Sequence, residues 1–116
     1  MLIPFRDRGF VLGDAVFDTA RTFGGKIFKI GEHIERLYRS LEAIDIDPRM
    51  TPQEMQEISE EVIRRNLSHL EEGDDYWIFQ RITRGQNVVG GELWQSSGPT
   101  VIVECTPLPI KTRAKV

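Results

Sequence analysis

The segment from Gly31 to Ile44 carries the pattern that most constrains how this chain can fold. Its large apolar residues recur at spacings of three and four, at Ile34, Leu37, Tyr38, Leu41 and Ile44. This spacing places them on one stripe of an α-helix, with charged residues on the opposite face. A helix of this kind must bury its stripe against another element. The chain is therefore expected to build a layered domain around it.

A second helix is predicted from Thr51 to about Asn66. The run Thr51-Pro52-Gln53-Glu54 is a capping box with proline at the first helical position. The side chains predicted to form its buried stripe are Met55, Ile58 and Val62.

Four extended segments flank these helices, and Gly24-Gly25 is the turn of a predicted hairpin between the first two. The segments are Val11–Phe23, Lys26–Ile30, Tyr76–Arg84 and Thr100–Thr106. Gln86–Gly98 is predicted to be a loop, and Pro107 to interrupt regular structure. Strands and helices do not alternate one for one. The predicted fold class is therefore α+β, an antiparallel sheet with two helices packed on one side.

Composition limits the functional class. The chain has 116 residues, 40% of them hydrophobic and 28% charged, as expected for one globular domain. The net charge is −3 and no basic block stands alone, so nucleic-acid and membrane partners are not expected. Cys105 is the single cysteine, which fits a reducing compartment. No signal-peptide core precedes Phe10, so a cytoplasmic location is expected.

No self-contained active-site motif is found, and no metal site is expected. The two histidines, His33 and His69, are predicted to be solvated helix-surface residues. Asp14 and Asp18 would share one strand face about 13 Å apart, too far for paired acid–base catalysis. Trp77 and Trp94 are predicted to be core or interface aromatics.

An ordered set of short motifs nevertheless runs from Asp7 to Gly85. Its members are Asp7–Phe10, Leu12–Thr19, Ile27-Phe28, Glu32–Leu37, Phe79-Gln80 and Thr83–Gly85. Together they resemble the small N-terminal domain of class IV aminotransferases, which are fold-type IV pyridoxal-phosphate enzymes. That family includes D-amino-acid transaminases, branched-chain aminotransferases, R-selective amine transaminases and aminodeoxychorismate lyases. The resemblance implies a pyridoxal-phosphate enzyme, homodimeric, that moves an amino group between an amino acid or amine and a 2-oxo acid.

The resemblance implies two site residues in the first half of the chain. Arg36 occupies the place of the arginine that binds the cofactor phosphate, and a planar guanidinium suits phosphate oxygens. The alternative for Arg36 is a surface ion pair with Glu32. Phe17 matches an aromatic residue that faces the substrate, where D-amino-acid transaminases have tyrosine. The alternative for Phe17 is a core aromatic.

The second half of the chain departs from the specific patterns of the family. Phe79 falls where branched-chain enzymes carry an arginine near the substrate. Val89 falls roughly where D-amino-acid transaminases carry a carboxylate-binding arginine. Neither substrate can therefore be transferred directly, and Arg81 or Arg84 is a candidate replacement cation. Phe17, Phe79 and Arg84 are the predicted substrate-side residues, with an exposed or structural arginine as the alternative for Arg84.

In the family, the lysine that bonds the cofactor lies in a larger second domain. Residues 1–106 are predicted to be the small domain and 107–116 the start of a linker, so no catalytic residue is assigned. Lys111 and Lys115 match no family lysine, and little activity is expected from this chain alone. Two alternatives remain open: a lyase that releases pyruvate from aminodeoxychorismate, and a non-enzymatic binding or assembly domain.

Overall fold

The structure is a computed structural model that describes residues 1–92 and 95–110. The prediction for Trp94, and those for Lys111 and Lys115, lie outside the described residues. In the part of the chain that is described, no helix is long and apolar enough to cross a bilayer.

Within residues 1–92 and 95–110, eight elements follow one another. They are α1 (Arg8–Leu12), β1 (Ala15–Phe23), β2 (Lys26–Ile27), α2 (Ile30–Ala43), α3 (Pro52–Asn66), a 3-10 turn (Leu67–His69), β3 (Asp75–Thr83) and β4 (Thr100–Leu108). The strands form one sheet in the order β2-β1-β3-β4, and each neighbouring pair is antiparallel.

Both long helices pack on the same face of this sheet, which confirms the predicted α+β architecture. Side chains from both helices interlock with that face in the buried core: Ile34, Leu37 and Leu41 from α2, Met55 and Ile63 from α3, and Ala20, Ile78 and Ile82 from the strands. The alternate residues of β1 and β3 point to the other face, which neither α2 nor α3 covers and which α1 contacts only at Thr83. The sheet therefore has one buried face and one open face.

The capping box of α3 is confirmed, and of its predicted buried stripe Met55 is buried, Val62 is partly buried against the core and Ile58 is not buried. Thr51 Oγ1 accepts from the Glu54 amide, and the Glu54 carboxylate accepts from the Thr51 amide, both at 3.1 Å. Ile58 is 39% exposed, whereas Ser59 is fully buried. Ser59 Oγ donates to the Met55 carbonyl and accepts from Gln80 Nε2. A satisfied hydroxyl thus occupies the core position expected for an aliphatic side chain.

Three predicted strand boundaries are wrong. Arg8–Leu12 is helical, so the first strand begins at Ala15, and β2 ends at Ile27 because α2 begins at Ile30. The last strand continues through Pro107 to Leu108. Tyr76 lies opposite Pro107, and its amide points away from β4, to Thr22 Oγ1. Tyr76 and Pro107 are therefore a pair that exchanges no backbone hydrogen bonds, so the amide that proline lacks is not needed there.

Asp7 joins α1 to the sheet. Its fully buried carboxylate accepts from the Gly9 amide at 2.8 Å, as the N-cap of α1. It also accepts from Thr83 Oγ1 at 3.0 Å and Thr100 Oγ1 at 2.5 Å. Burial alone would raise the pKa of Asp7, but these hydrogen bonds outweigh it and lower the pKa below its usual value.

Candidate functional site

Arg36 is oriented by a buried carboxylate on β1. Asp18 faces the helices and its side chain is only 5% exposed. Arg36 donates to it through two nitrogens, Nε to Oδ2 at 2.7 Å and Nη2 to Oδ1 at 2.9 Å. The observed partner of Arg36 is thus Asp18 rather than Glu32, and the guanidinium plane is held in a bidentate pair.

His33 completes this cluster, contrary to the prediction that it is a solvated surface residue. Its Nδ1 lies 2.7 Å from Asp18 Oδ1, and its side chain is 23% exposed. An ionised carboxylate can only accept, so His33 Nδ1 must carry a proton and donate it. The 3.3 Å approach between that Nδ1 and Arg36 Nη2 then brings two donors together and is not a hydrogen bond.

Asp18 and Arg36 are both ionised at neutral pH. Burial would raise the pKa of Asp18, but hydrogen bonds from Arg36 and His33 outweigh it and lower the pKa. In return, the hydrogen bonds to Asp18 raise the pKa of Arg36 above its usual value. The Arg36 side chain is 59% exposed, and among the described residues its Nη1 has no hydrogen-bond partner. A fixed cation with one open edge therefore faces outward.

The strand pairing leaves room beside His33 of this cluster. Strand β2 pairs only with Thr22 and Phe23, so no described strand pairs with the earlier residues of β1 on that side. A shallow cavity of about 210 Å³ opens there, lined by Thr19, Ala20, Arg21, Phe28, His33 and Trp77. The sheet edge and the first half of α2 thus border a recess next to the cluster.

Two of the predicted substrate-side residues share the open face of the sheet. Phe17 is 68% exposed and lies directly opposite Arg81 in the β1–β3 register. Phe79 stands two residues before Arg81 on β3, and the Arg81 guanidinium lies 4.7 Å from the centre of its ring. Arg81 also forms an ion pair with Glu104 of β4. An aromatic surface with one cation results.

Arg84 lies elsewhere, beyond the end of β3. Its Nε donates to Asp14 Oδ2 at 2.8 Å, and its side chain is 15% exposed. Its Nη1 donates to the Asp45 carbonyl at 2.8 Å and its Nη2 to the Ile44 carbonyl at 2.7 Å. All three nitrogens are engaged, which favours the structural alternative. Its role as a substrate ligand stays a prediction.

A groove of about 940 Å³ lies between α2 and α3. Its charged lining is mainly acidic and includes Glu35, Glu42, Asp47, Glu57 and Glu60. Such a surface repels phosphate and carboxylate ligands. Size alone therefore does not mark the functional site, and the Asp18 cluster is the better candidate.

Asp18 and His33 are the site residues that the sequence reasoning missed. His33 and Arg36 are three residues apart on a predicted helix, so their side chains lie on one face. Asp18 lies two residues from both Val16 and Ala20, so it shares their face, which is the buried side of the strand. These two signals together would have indicated a buried acid in need of a basic partner.

Comparison with known proteins identifies the family. Residues 15–115 match the sequence model of the amino-transferase class IV family. A Methanocaldococcus jannaschii protein, provisionally named a branched-chain-amino-acid aminotransferase, is 33% identical over 103 residues, covering 89% of this chain and 34% of that protein. The D-alanine aminotransferase of Staphylococcus aureus is 32% identical over 83 residues, covering 72% and 28%. The chain thus spans about a third of the length of these curated relatives.

Solved structures show the same fold. A hypothetical aminotransferase from Mycobacterium tuberculosis, in its PLP-bound form, superposes with a TM-score of 0.79 at 24% identity, over 98% of this chain and 37% of that one. The branched-chain amino acid aminotransferase of Escherichia coli gives 0.77 at 22% identity, over 92% and 36%. Since the family match covers most of the chain and the fold agrees, this chain belongs to the class IV amino-transferase family.

Proposed function

We propose that this chain supplies the cofactor-phosphate site of a pyridoxal-phosphate-dependent aminotransferase. The whole protein would transfer an amino group between an amino acid or amine and a 2-oxo acid. The observation that carries the proposal is the Arg36 guanidinium, fixed on buried Asp18 with one edge open. When bound, pyridoxal phosphate supplies the electron sink that transamination requires.

The residues around Arg36 fit a phosphate group. A phosphate needs strong donors from a cation that remains charged, and guanidinium meets both needs. The two bonds to Asp18 fix the side chain before any ligand binds, which lowers the entropy cost of binding. Nη1 stays available, and the recess beside His33 leaves space at the sheet edge. Asp18 and His33 thus orient the donor, and Arg36 contacts the anion.

We place the substrate on the open face of the sheet. Phe17 and Phe79 offer an apolar surface there without a hydroxyl group. Arg81 is the candidate for a substrate carboxylate, because its ion pair with Glu104 engages one nitrogen, whereas all three nitrogens of Arg84 are engaged. Glu104 would hold the Arg81 fork in place while its remaining donors meet the ligand.

Self-association and the division of the chain belong to the same proposal. Large apolar side chains stand exposed around α1 and the loop after β3: Phe10, Val11, Leu12 and Val89. We propose that a second copy covers this surface in a cytoplasmic homodimer. Residues 1–106 are the proposed small domain and 107–116 the start of a linker. The lysine that bonds the cofactor is proposed to lie in a second domain.

Cofactor binding by the complete gene product tests the phosphate site. Replacing Arg36 with alanine is expected to weaken pyridoxal-phosphate binding about 10- to 100-fold, the range of one charge-assisted contact. Binding of pyridoxal, which lacks the phosphate, should not change. Arg39→Ala is the matched control, since Arg39 lies on the same helix with its side chain 68% exposed. Unchanged phosphate-dependent binding in Arg36→Ala, or an equal loss in the control, would rule the site out.

Turnover distinguishes the reaction types. The complete gene product is assayed with D-alanine, a branched-chain amino acid and aminodeoxychorismate. Amino transfer to a 2-oxo acid supports the proposal. Pyruvate release from aminodeoxychorismate without an acceptor would assign the lyase reaction instead. Cofactor binding without turnover of any substrate would favour a binding or assembly domain.

A further inference from the structure

Helix α2, which carries Arg36, is tied to the start of β1 at two points. Near its first half, Asp18 holds His33 and Arg36. At its C-terminus, the carbonyls of Ile44 and Asp45 accept from Arg84, which is itself bound to Asp14. The two aspartates belong to one short stretch of chain, and one acts on the first half of the helix and the other on its C-terminus.

The two contact points are about equally far apart on the strand and on the helix. Asp18 follows Asp14 by four residues of extended chain, a distance of about 13 Å. Eight helical residues separate Arg36 from Ile44, a rise of about 12 Å. Helix α2 therefore runs antiparallel to this stretch, so that Arg36 lies level with Asp18 and Ile44 lies level with Asp14.

Arg84 also supplies what the end of α2 lacks. The last carbonyls of a helix have no partner within the helix and carry the negative end of its dipole. Helix α2 has no basic residue in its last turn and no glycine cap. The amides of Asp45 and Ile46 already cap the Glu42 and Leu41 carbonyls, and Arg84 brings a cation and two donors to the carbonyls of Ile44 and Asp45 that follow. Arg8 of α1 forms an ion pair with the same Asp14 oxygen, Nε to Oδ2 at 3.0 Å.

Apolar packing and polar contacts share in placing α2. Three buried side chains hold it on the sheet: Ile34, Leu37 and Leu41. Because they are close-packed, they resist both separation and sliding. Charge-assisted hydrogen bonds have narrow distance and angle ranges. The polar ties therefore add a finer constraint on where Arg36 lies along the sheet.

We infer that Arg84 is a positioning residue that, with Asp14, sets the axial placement of α2 and hence of the phosphate-binding edge of Arg36. The inference rests on the proposed function, because it assumes that Arg36 binds phosphate. It assigns to Arg84 an action on the cofactor site through the helix, without contact to cofactor or substrate.

The test uses the complete gene product and compares affinity for pyridoxal phosphate with affinity for pyridoxal. Arg84→Gln and Asp14→Asn are each expected to weaken binding of the phosphorylated form roughly 2- to 30-fold, the range seen for residues that act on a site without touching its ligand. Binding of pyridoxal should stay unchanged. The double variant should lose no more than the larger single loss, because both residues serve one tie. Arg84→Lys, which keeps the charge but not the fork, should recover part of the affinity.

Stability is measured in parallel, so that binding is compared only where each variant is folded. Arg65→Gln is the control for loss of one positive charge, since its side chain is 77% exposed on α3. A lower melting temperature of Arg84→Gln with unchanged phosphate-dependent affinity would overturn the inference. So would a raised KM for substrate with unchanged cofactor affinity, which would make Arg84 a substrate ligand. Equal binding of both cofactor forms by the unaltered protein would overturn the proposed function itself, before any change at Arg84.

Discussion

Replacing the buried Asp7 with alanine tests how the N-terminal helix is held to the sheet. The carboxylate accepts three hydrogen bonds, from the Gly9 amide and from the hydroxyls of Thr83 and Thr100. Loss of the N-cap bond costs about 1 kcal/mol. Leaving the two half-buried hydroxyls without their acceptor costs about 1–3 kcal/mol in total. The free energy of unfolding should therefore fall by about 2–4 kcal/mol.

The effect should depend on pH in a defined direction. The pKa of Asp7 is lowered in the folded protein, so the unfolded chain takes up its proton first as pH falls. The stabilisation is fully present above the usual pKa of an aspartate and is lost as pH falls through the lower, folded value. The difference between the unaltered protein and Asp7→Ala should thus be constant from neutral pH to about pH 5 and shrink below about pH 4.

Urea unfolding at several pH values measures both effects. Asp47→Ala is the matched control, because Asp47 likewise accepts from the amide two residues ahead, Arg49, but on the exposed surface. Its change should stay within about 0.5 kcal/mol. Equal losses for the two variants, or a difference for Asp7→Ala that grows with acid, would refute the account of Asp7 as a buried anchor.

Two further predictions concern binding and turnover by the complete gene product. Asp18→Asn keeps the side-chain size but removes the charge that orients Arg36. Pyridoxal-phosphate affinity, measured by equilibrium dialysis, should therefore fall about 3- to 30-fold. An affinity equal to that of the unaltered protein would show that Arg36 does not need Asp18 to orient it. Arg81→Leu should raise the KM of amino acid donors about 10- to 100-fold through loss of a contact to their carboxylate. It should leave the KM of an amine without a carboxylate unchanged, and an equal rise for both donors would contradict a carboxylate role.

The local patterns were sufficient for the long elements. The stripe from Ile34 to Leu41 predicted α2, and the capping box at Thr51 predicted the start of α3, because both signals lie within a few residues of chain. The short helix α1 was missed although Asp7 and Gly13 are good end signals. Phe10 and Val11 favour extended chain. The contacts that hold Asp7 come from threonines 76 and 93 residues away.

The candidate site was likewise predictable from the sequence only in part. Arg36 was found because it belongs to a contiguous motif, and the open face of Phe17 and Phe79 follows from strand alternation once the register is known. The partner of Arg36 was not found, since Asp18 lies on another element 18 residues away. Which carboxylate satisfies a given arginine depends on how a helix is laid across a sheet. That placement is a property of tertiary packing.

The hydrogen bonds that Asp7 accepts from Thr83 and Thr100 have a consequence for how this protein can change over evolutionary time. Thr83 ends β3 and Thr100 begins β4, so Asp7 joins the two ends of the intervening loop. Asp7 therefore helps to hold the register of β3 and β4 at the base of the loop, independently of loop length. Doubling a loop's length costs only about 0.6 kcal/mol in closure entropy. Residues Gln86, Asn87 and Val89 of that loop line a recess of about 330 Å³ with α1. Insertions and replacements there can reshape the recess, and new ligand preferences can arise, while the framework of the domain stays intact.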